Sequence, residues 1–329
     1  MSELNNAVLA TLAYYDIFDF PLTLIEVHRY LINPARFEKD TIVGDISLHD
    51  IDGTLKGLCE EGRAHERNGY YMLSKEREVI YVKRIAYEKI AAQKWKKLLR
   101  LAYWFQAVPY IRAMFVSGSM AMHNTDDQSD FDVLTIVKNG RLYTARIFLS
   151  LMASMFGARR KRFDLVAPNK FCFNHYLTDQ QLRIEHESLY NAQTYVNLRP
   201  IYTRGTAFDD FYRENPWLNQ YVYHFKPLQG YVRRTVHHSN FLRSIARLVE
   251  LILNSPLGTI LEKILRWYQQ RRIASNPMTY SSGGRTIFDN TQLEFHPRSA
   301  EKAIIEKYNA TVRDMGTFWN YSELDSGLR

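Results

Sequence analysis

The residues best suited to chemistry are two aspartates at the start of a predicted strand. Asp130 and Asp132 flank Phe131, and the β-branched apolar run that follows to Val137 predicts a strand. Residues two apart on a strand face the same side, so the two carboxylates converge while Phe131 turns into the core. Carboxylates this close repel each other unless a cation lies between them. Because Mg²⁺ binds carboxylates together with substrate phosphates, the pair predicts a magnesium site.

A glycine-serine turn precedes this pair and could hold those phosphates. The apolar run 111–116 predicts a buried strand, which breaks at Gly118-Ser119 into the start of a helix. Glycine lets a phosphate approach the backbone, and the free N–H groups of the helix start and the Ser119 hydroxyl can bind it. The turn and the acidic pair together predict binding of a nucleotide as its Mg²⁺ complex.

These residues resemble the signature of a known superfamily. Gly118-Ser119, a gap of ten residues, and Asp130-Phe131-Asp132 on a strand are similar to the motif of the DNA polymerase beta-like nucleotidyltransferases, in their minimal form. The resemblance covers residues 110 to 177, about a fifth of the chain. It implies transfer of a nucleoside monophosphate from a nucleoside triphosphate to a hydroxyl, with two Mg²⁺ ions and release of pyrophosphate. The acceptor is left open between a small molecule, a protein and RNA.

The resemblance also implies a third carboxylate on a following strand, which binds metal and activates the attacking hydroxyl. Asp164 is the candidate, because the segment 162–166 has an apolar-Asp-apolar pattern and predicts a short strand. Asp130, Asp132 and Asp164 would then be the catalytic and metal-binding residues. A neighbouring predicted strand, 171–176, could occupy that place with Asn174 instead. The third acid would then be missing, and transferase activity would be in doubt.

The N-terminal segment 1–73 predicts a winged helix. Helices are expected over residues 4–15, after Thr23, and between Ser47 and Gly62, followed by a hairpin at Asn68-Gly69. The third helix has four acidic residues and one lysine, a net charge of −3. This surface would repel phosphate, so we expect a contact with protein rather than DNA.

A strongly basic helical connector is predicted over residues 74–106. It has nine basic and three acidic residues, a net charge of +6, and it leads directly into the candidate site. A solvated helix face is the ordinary explanation of such a segment. A surface that steers phosphates toward the site is the alternative.

The remaining chain predicts a nucleotidyltransferase core over 107–200 and a helical C-terminal domain over 201–329. The helices of this domain are expected near residues 208–214, 242–253, 257–272 and 299–315. The fold class is therefore α+β, in which a small mixed sheet is flanked by the winged helix and by C-terminal helices.

Composition bounds the protein class. With 46% hydrophobic residues in 329, the chain can fill real cores and is expected to be globular. Two cysteines exclude a disulfide framework, and the first residues do not predict a signal peptide, so a cytoplasmic protein is expected. The segment 248–268 is too charged to span a bilayer. Its leucines and Trp267 lie among basic residues, which leaves open either peripheral membrane contact or an ordinary packed surface helix.

Overall fold

The computed structural model describes residues 3–37, 44–161, 164, 166–223, 225–227, 234–297, 299–316 and 321–326. Its architecture is α+β, which confirms the predicted fold class. The helices are α1 (Glu3–Asp16), α2 (Leu24–Tyr30), α3 (Leu48–Glu60), α4 (Val79–Ala102), α5 (Gly118–Ala121), α6 (Leu142–Met155), α7 (Leu189–Val196), α8 (Ala207–Arg213), α9 (Leu218–Tyr221), α10 (Asn240–Leu253), α11 (Pro256–Ala274) and α12 (Glu301–Asp314). The strands are β1 (Leu22–Thr23), β2 (His65–Arg67), β3 (Tyr70–Met72), β4 (Ile111–Val116), β5 (Phe131–Val137), β6 (Phe171–Thr178), β7 (Arg199–Thr203), β8 (Arg285–Phe288) and β9 (Gln292–His296).

A six-stranded mixed sheet forms the centre, in the order β7-β4-β5-β6-β9-β8. Strands β5 and β6 are parallel, and the other neighbouring pairs are antiparallel. As a consequence, the end of β4 and the starts of β5, β6 and β7 meet at one edge of the sheet. The predicted strands of the candidate site, β4 and β5, lie next to each other at its centre.

Each face of the sheet packs into its own core. Phe115 and Leu134 lie in one core with buried residues of α1–α3, α7 and α12. Val116 and Phe131 lie in the other, with buried residues of α4 and α6. The N-terminal helices therefore share a core with the sheet, and apolar burial joins them to it.

The N-terminal unit, α1–α3 with β1–β3, has the elements predicted for a winged helix. Thr23 and Ser47 each form a capping box, at the starts of α2 and α3. Asn68 and Gly69 have φ of 52° and 79°, as a type I′ hairpin turn requires. The two-residue strand β1 pairs with β3 and was not predicted, because two residues are too few to show a period.

The C-terminal region is not helical throughout. The four predicted helices are present as α8, α10, α11 and α12. Strands β8 and β9 extend the central sheet beyond β6, and β7 adds to its other side. These strands have only four or five residues each. An apolar alternation this short does not distinguish a strand from a loop in the sequence.

No helix in the described part of the chain is long and apolar enough to cross a membrane by itself. Helices α10 and α11 are long and apolar enough only when they are taken together, and they are bent by 93° where they meet.

Candidate functional site

The turn after β4 is shaped by Gly118. Its φ is +61°, and a Cβ added there would lie 3.1 Å from Oδ2 of Asp132. The backbone N–H of Ser117 donates to the carbonyl oxygen of Asp132 at 3.0 Å. Helix α5 begins at Gly118, so the predicted strand, turn and helix are confirmed, with Ser119 in the first turn. A side chain at position 118 would be strained by the backbone and crowd the carboxylate, which explains the glycine.

The two predicted aspartates converge at the same sheet edge. Ligand atoms of Asp130, Asp132 and Cys172 all lie within 4.8 Å of one another. Burial raises the pKa of Asp132 to about 7, and the adjacent charge of Asp130 adds to the rise. A half-buried carboxylate beside a like charge is stabilised in its ionised form by a cation. The pair is therefore suited to a hard cation, as its spacing predicts.

Two polar side chains that sequence reasoning did not pair with the aspartates hold them in place. Arg160 donates from Nη1 to Oδ2 of Asp130 at 2.5 Å. Asn174 donates from Nδ2 to Oδ1 of Asp132 at 3.0 Å. The guanidinium and the amide each occupy one carboxylate oxygen, and they orient both carboxylates before any ligand binds.

Asp164 does not join the pair. Its carboxylate accepts from the backbone N–H of Lys161 at 3.0 Å and lies 3.8 Å from Nζ of Lys170. Its own N–H donates back to the Lys161 carbonyl at 3.2 Å. Residues 162, 163 and 165 lie outside the described part, and Asp164 itself is not in a strand. The reciprocal bonds close a turn, which the apolar-Asp-apolar pattern concealed.

Strand β6 occupies the place that Asp164 was expected to fill. It lies parallel to β5, with Cys172 directly across from Asp132 and Asn174 one alternation further. Burial raises the pKa of the Cys172 thiol, and the charges of Asp132 and then Asp130 raise it further. A neutral thiol is a poor ligand for a hard cation. Among the described residues, the donor set is thus two carboxylates without a third, as the Asn174 alternative anticipated.

The loop that precedes Asp130 in the chain is held in place by a lysine of the basic connector. Nζ of Lys94 donates to the carbonyl oxygens of Asp126, Asp127 and Ser129 at 2.8, 3.2 and 2.7 Å. The side chain is buried, in contrast to its exposed neighbours Lys96 and Lys97. Lys94 therefore acts as an internal anchor for the loop, so the expectation of a solvated face does not hold for this residue.

An open cavity of about 250 Å³ lies beside the pair. Its lining residues are Asp126, Gln128, Ser129, Asp130, Arg160, Val166 and Ala167. Asp130 and Arg160 both line this space, whereas Asp132 does not. The cavity offers room for part of a ligand directly next to the acidic pair.

A further cation lies beside the Gly118 turn. Arg199 begins β7 directly across from Val116, and its Nε donates to the carbonyl oxygen of Ala121 at 3.4 Å. Within the described ranges no carboxylate lies within ion-pair distance of it. Burial lowers the pKa of Arg199, and the charges of Arg29 and Arg234 contribute. A partly buried guanidinium without an acidic partner is suited to bind a phosphate.

Sequence reasoning missed Arg199 because nothing local marks it. Its position depends on the pairing of β4 with β7, which are separated by more than 80 residues in the chain. Asn174 and Cys172 were visible as members of a strand, but their contact with Asp132 depends on which strand lies beside β5.

Comparisons with protein-family models, with curated proteins and with solved structures found no match for this chain. A function for this chain is therefore inferred from the geometry of the sheet edge and from the motif residues themselves.

Proposed function

We propose that this chain binds a nucleoside triphosphate as its Mg²⁺ complex at the sheet edge formed by β4, β5, β6 and β7. The phosphates would lie at Gly118-Ser119, and the cation would be held by Asp130 and Asp132. The observation that carries this proposal is the contact of the turn with Asp132, whose Oδ2 lies 3.1 Å from where a Cβ of residue 118 would be. A cation on the pair would therefore border phosphates bound in the turn.

The charges around the turn support an anionic ligand. Arg199 adds a guanidinium that has no acidic partner among the described residues, on the opposite side of β4 from Asp132. Arg160 neutralises part of the charge of Asp130, so the pair and its surroundings are not strongly negative toward a triphosphate.

The donor set favours one Mg²⁺ ion rather than the two implied by the resemblance. Asp164 is bonded to Lys161 and Lys170, and Cys172 and Asn174 face Asp132 from β6. Two carboxylates with substrate phosphates and water are a sufficient set for one Mg²⁺ ion. A second ion would require a further carboxylate close to the first two.

Nucleotidyl transfer is the second candidate, and the position of the pair beside the turn favours it. An acceptor hydroxyl oxygen would bond to the α-phosphorus while the bond to the bridging oxygen of the β-phosphate breaks, which releases pyrophosphate. The bound cation would stabilise the charge that develops on the leaving group. Without a third carboxylate the hydroxyl proton would pass to water, so we expect slow transfer. A small molecule, a protein or RNA could serve as the acceptor, with the cavity beside Arg160 as its entrance.

Two features support the proposed setting. Cys59 and Cys172 are both free thiols, which suits a reducing cytoplasm.

On α3, Lys56 pairs with Asp52 at 2.6 Å, so the positive charge of the only lysine on this acidic helix is neutralised. We therefore propose that the N-terminal unit does not read DNA.

The experiment that tests this proposal is titration calorimetry with each of the four ribonucleoside triphosphates, with and without Mg²⁺. We expect Mg²⁺-dependent binding by the wild type and its loss in Asp132→Asn. Asp164→Asn is the matched control, because it makes the same chemical change at a carboxylate outside the acidic pair and should leave binding unchanged. Absence of Mg²⁺-dependent binding of any triphosphate by the folded wild type would overturn the proposal.

Pyrophosphate release from the wild type separates the two candidates. Steady release that is lost in Asp132→Asn and retained in Asp164→Asn would identify a transferase that works with two carboxylates. Release that is lost in both variants would show that Asp164 reaches the metal during the reaction. Binding without release would leave the nucleotide-binding function alone.

A further inference from the structure

Helices α10 and α11 expose large apolar side chains along their length. On α10, Phe241 and Leu251 are each 72% exposed, and on α11 Leu257 is 76% and Trp267 is 61% exposed. The other exposed apolar residues of the two helices are Ile245, Leu248, Ile252, Ile260, Ile264 and Tyr268. Their spacing of three or four residues forms a continuous apolar stripe on each helix. This is far more apolar surface than isolated exposed side chains leave on a soluble protein.

The inward sides of both helices are already used. Leu242 and Ala246 of α10 are buried, and Gln269 and Ile273 of α11 are buried. Gly258 fixes the bend, because a Cβ there would collide with the backbone of Leu253. The exposed stripes therefore do not contribute to the packing of these helices on the protein.

The acidic residues of the two helices point inward. Glu262 accepts from the backbone N–H of Tyr143 at 3.0 Å and of Thr144 at 2.8 Å. Glu250 accepts from the backbone N–H of Tyr110 at 2.7 Å and from Nη1 of Arg204 at 3.0 Å. Both carboxylates thus accept hydrogen bonds from internal donors, and Glu250 is also paired with Arg204.

The basic residues of the same helices remain on the outside. They are Arg243, Arg247, Lys263, Arg266, Arg271 and Arg272, of which Arg243 and Arg266 are half-buried and the others are exposed. Arg271 lies 5.6 Å from the ring centroid of Trp267. The outward surface of α10 and α11 therefore combines apolar stripes with cations and has no exposed carboxylate of its own.

This combination selects one kind of occupant. A second copy of the chain would bring two basic surfaces together, and their charges would repel. Nucleic acid would neutralise the cations but leave the apolar stripes in water. The headgroups and acyl chains of an anionic bilayer cover both kinds of group at once.

We propose that α10 and α11 dock this chain on the surface of a bilayer that contains anionic lipids. The bend of 93° prevents the two helices from forming one straight span, so each lies along the interface. Trp267 and Tyr268 lie at the headgroup level, and the arginines and Lys263 contact the anionic headgroups. The docking is independent of the sheet edge at Asp130 and Asp132.

The test is flotation of the purified full chain with vesicles of phosphatidylcholine, with and without phosphatidylserine. We expect the wild type to float with the anionic vesicles and to be released by high salt. Leu251→Glu with Leu257→Glu should reduce the bound fraction to background. Ile25→Glu is the matched control, because Ile25 is 68% exposed on α2 outside the proposed surface, and it should float as the wild type does.

Removal of cations tests the electrostatic part. Lys263→Gln and Arg271→Gln should each weaken binding to anionic vesicles about fivefold. Failure of the wild type to float, or flotation unaffected by the Leu251 and Leu257 substitutions, would overturn the proposal. A dimer in sedimentation that the same substitutions dissociate, without vesicle binding, would also overturn it. Circular dichroism and thermal unfolding of the same variants without lipid show whether they are folded.

Discussion

The two helical flanks of the sheet use their apolar residues in opposite ways. In the N-terminal unit, Val8, Leu12 and Leu55 are fully or almost fully buried in a core shared with the sheet. In the pair α10 and α11, most of the large apolar residues remain exposed. The same residue types therefore stabilise the fold on one flank and remain exposed on the other. Which outcome holds depends on what packs against each helix.

The acidic residues of the two flanks also differ in position. On α3 they lie on or near the surface, where Asp52 is paired with Lys56. On α10 and α11 both glutamates are turned inward to backbone N–H groups and arginine. The sign of each surface thus follows from where its charged side chains point, and a net charge counted along the sequence does not determine it.

The largest expected effect comes from the buried flank. Leu55→Ala should lower the free energy of unfolding by about 2–5 kcal/mol, because it leaves a cavity in the shared core. Urea unfolding followed by circular dichroism measures this. Leu251→Ala on α10 is the control, and it should change stability by less than about 0.5 kcal/mol. Equal losses in the two variants would contradict the contrast between the flanks.

The second-largest effect is expected at the contact between the N-terminal unit and α4. Arg84 donates to Glu26 at 2.7 Å and to Glu88 at 2.8 Å, and its guanidinium lies over the Phe20 ring. Arg84→Met should lower the free energy of unfolding by about 2–3 kcal/mol. This is somewhat less than the loss expected when one partner of a fully buried ion pair is removed, because Glu88 reaches water. Lys96→Met, an exposed change on the same helix, is the control. Thermal unfolding of both variants measures the difference, and an unchanged Arg84→Met would show that α4 is a separate connector.

The smallest expected effect concerns pH and the acidic pair. The pKa of Asp132 is about 7 in the folded protein against 3.8 when unperturbed, so the folded state binds the proton more tightly. The contribution of Asp132 to the stability of the metal-free protein should therefore fall by about 1–2 kcal/mol as pH rises from 4 to 7, since unfolding releases that proton and solvent screening of this half-buried carboxylate reduces the full effect of the shift. Burial lowers the pKa of His123 to about 3 and that of His175 to about 4, so these residues change stability in the opposite direction over the same range. Melting curves of the wild type and of Asp132→Asn across this range measure the contribution of Asp132 as the difference between the two proteins.

Two controls sharpen this prediction. Asp132→Asn has no proton to release at this position, so its stability relative to the wild type should rise as pH increases from 4 to 7, whereas Asp164→Asn should follow the wild type. Addition of Mg²⁺ at pH 8 should raise the melting temperature of the wild type and not that of Asp132→Asn. The same pH dependence in the wild type and in Asp132→Asn would contradict the prediction.

Features carried by neighbouring residues could be predicted from the sequence. The capping boxes at Thr23 and Ser47, the hairpin at Asn68-Gly69 and the turn at Gly118 each depend on local hydrogen bonds or on allowed values of φ. The convergence of Asp130 and Asp132 depends only on the alternation of a strand.

Pairing between distant segments could not be predicted in the same way. The apolar pattern around Asp164 is compatible with a strand, but its side chain closes a turn with Lys161. The burial of Lys94 follows from three carbonyl oxygens of a loop more than 30 residues away. Charge and periodicity contain no information about such partners.

The sequence by itself determined that two carboxylates and a glycine turn lie at the ends of adjacent segments, because alternation and backbone conformation are local properties. Only the tertiary structure decided that Cys172 and Asn174, and not Asp164, lie beside Asp132, and that Arg199 lies beside the turn. It also decided that Leu248 and Leu251 of α10 and Leu257 of α11 remain exposed. Strand order and helix packing are set by the sum of many long-range contacts, which no single segment specifies.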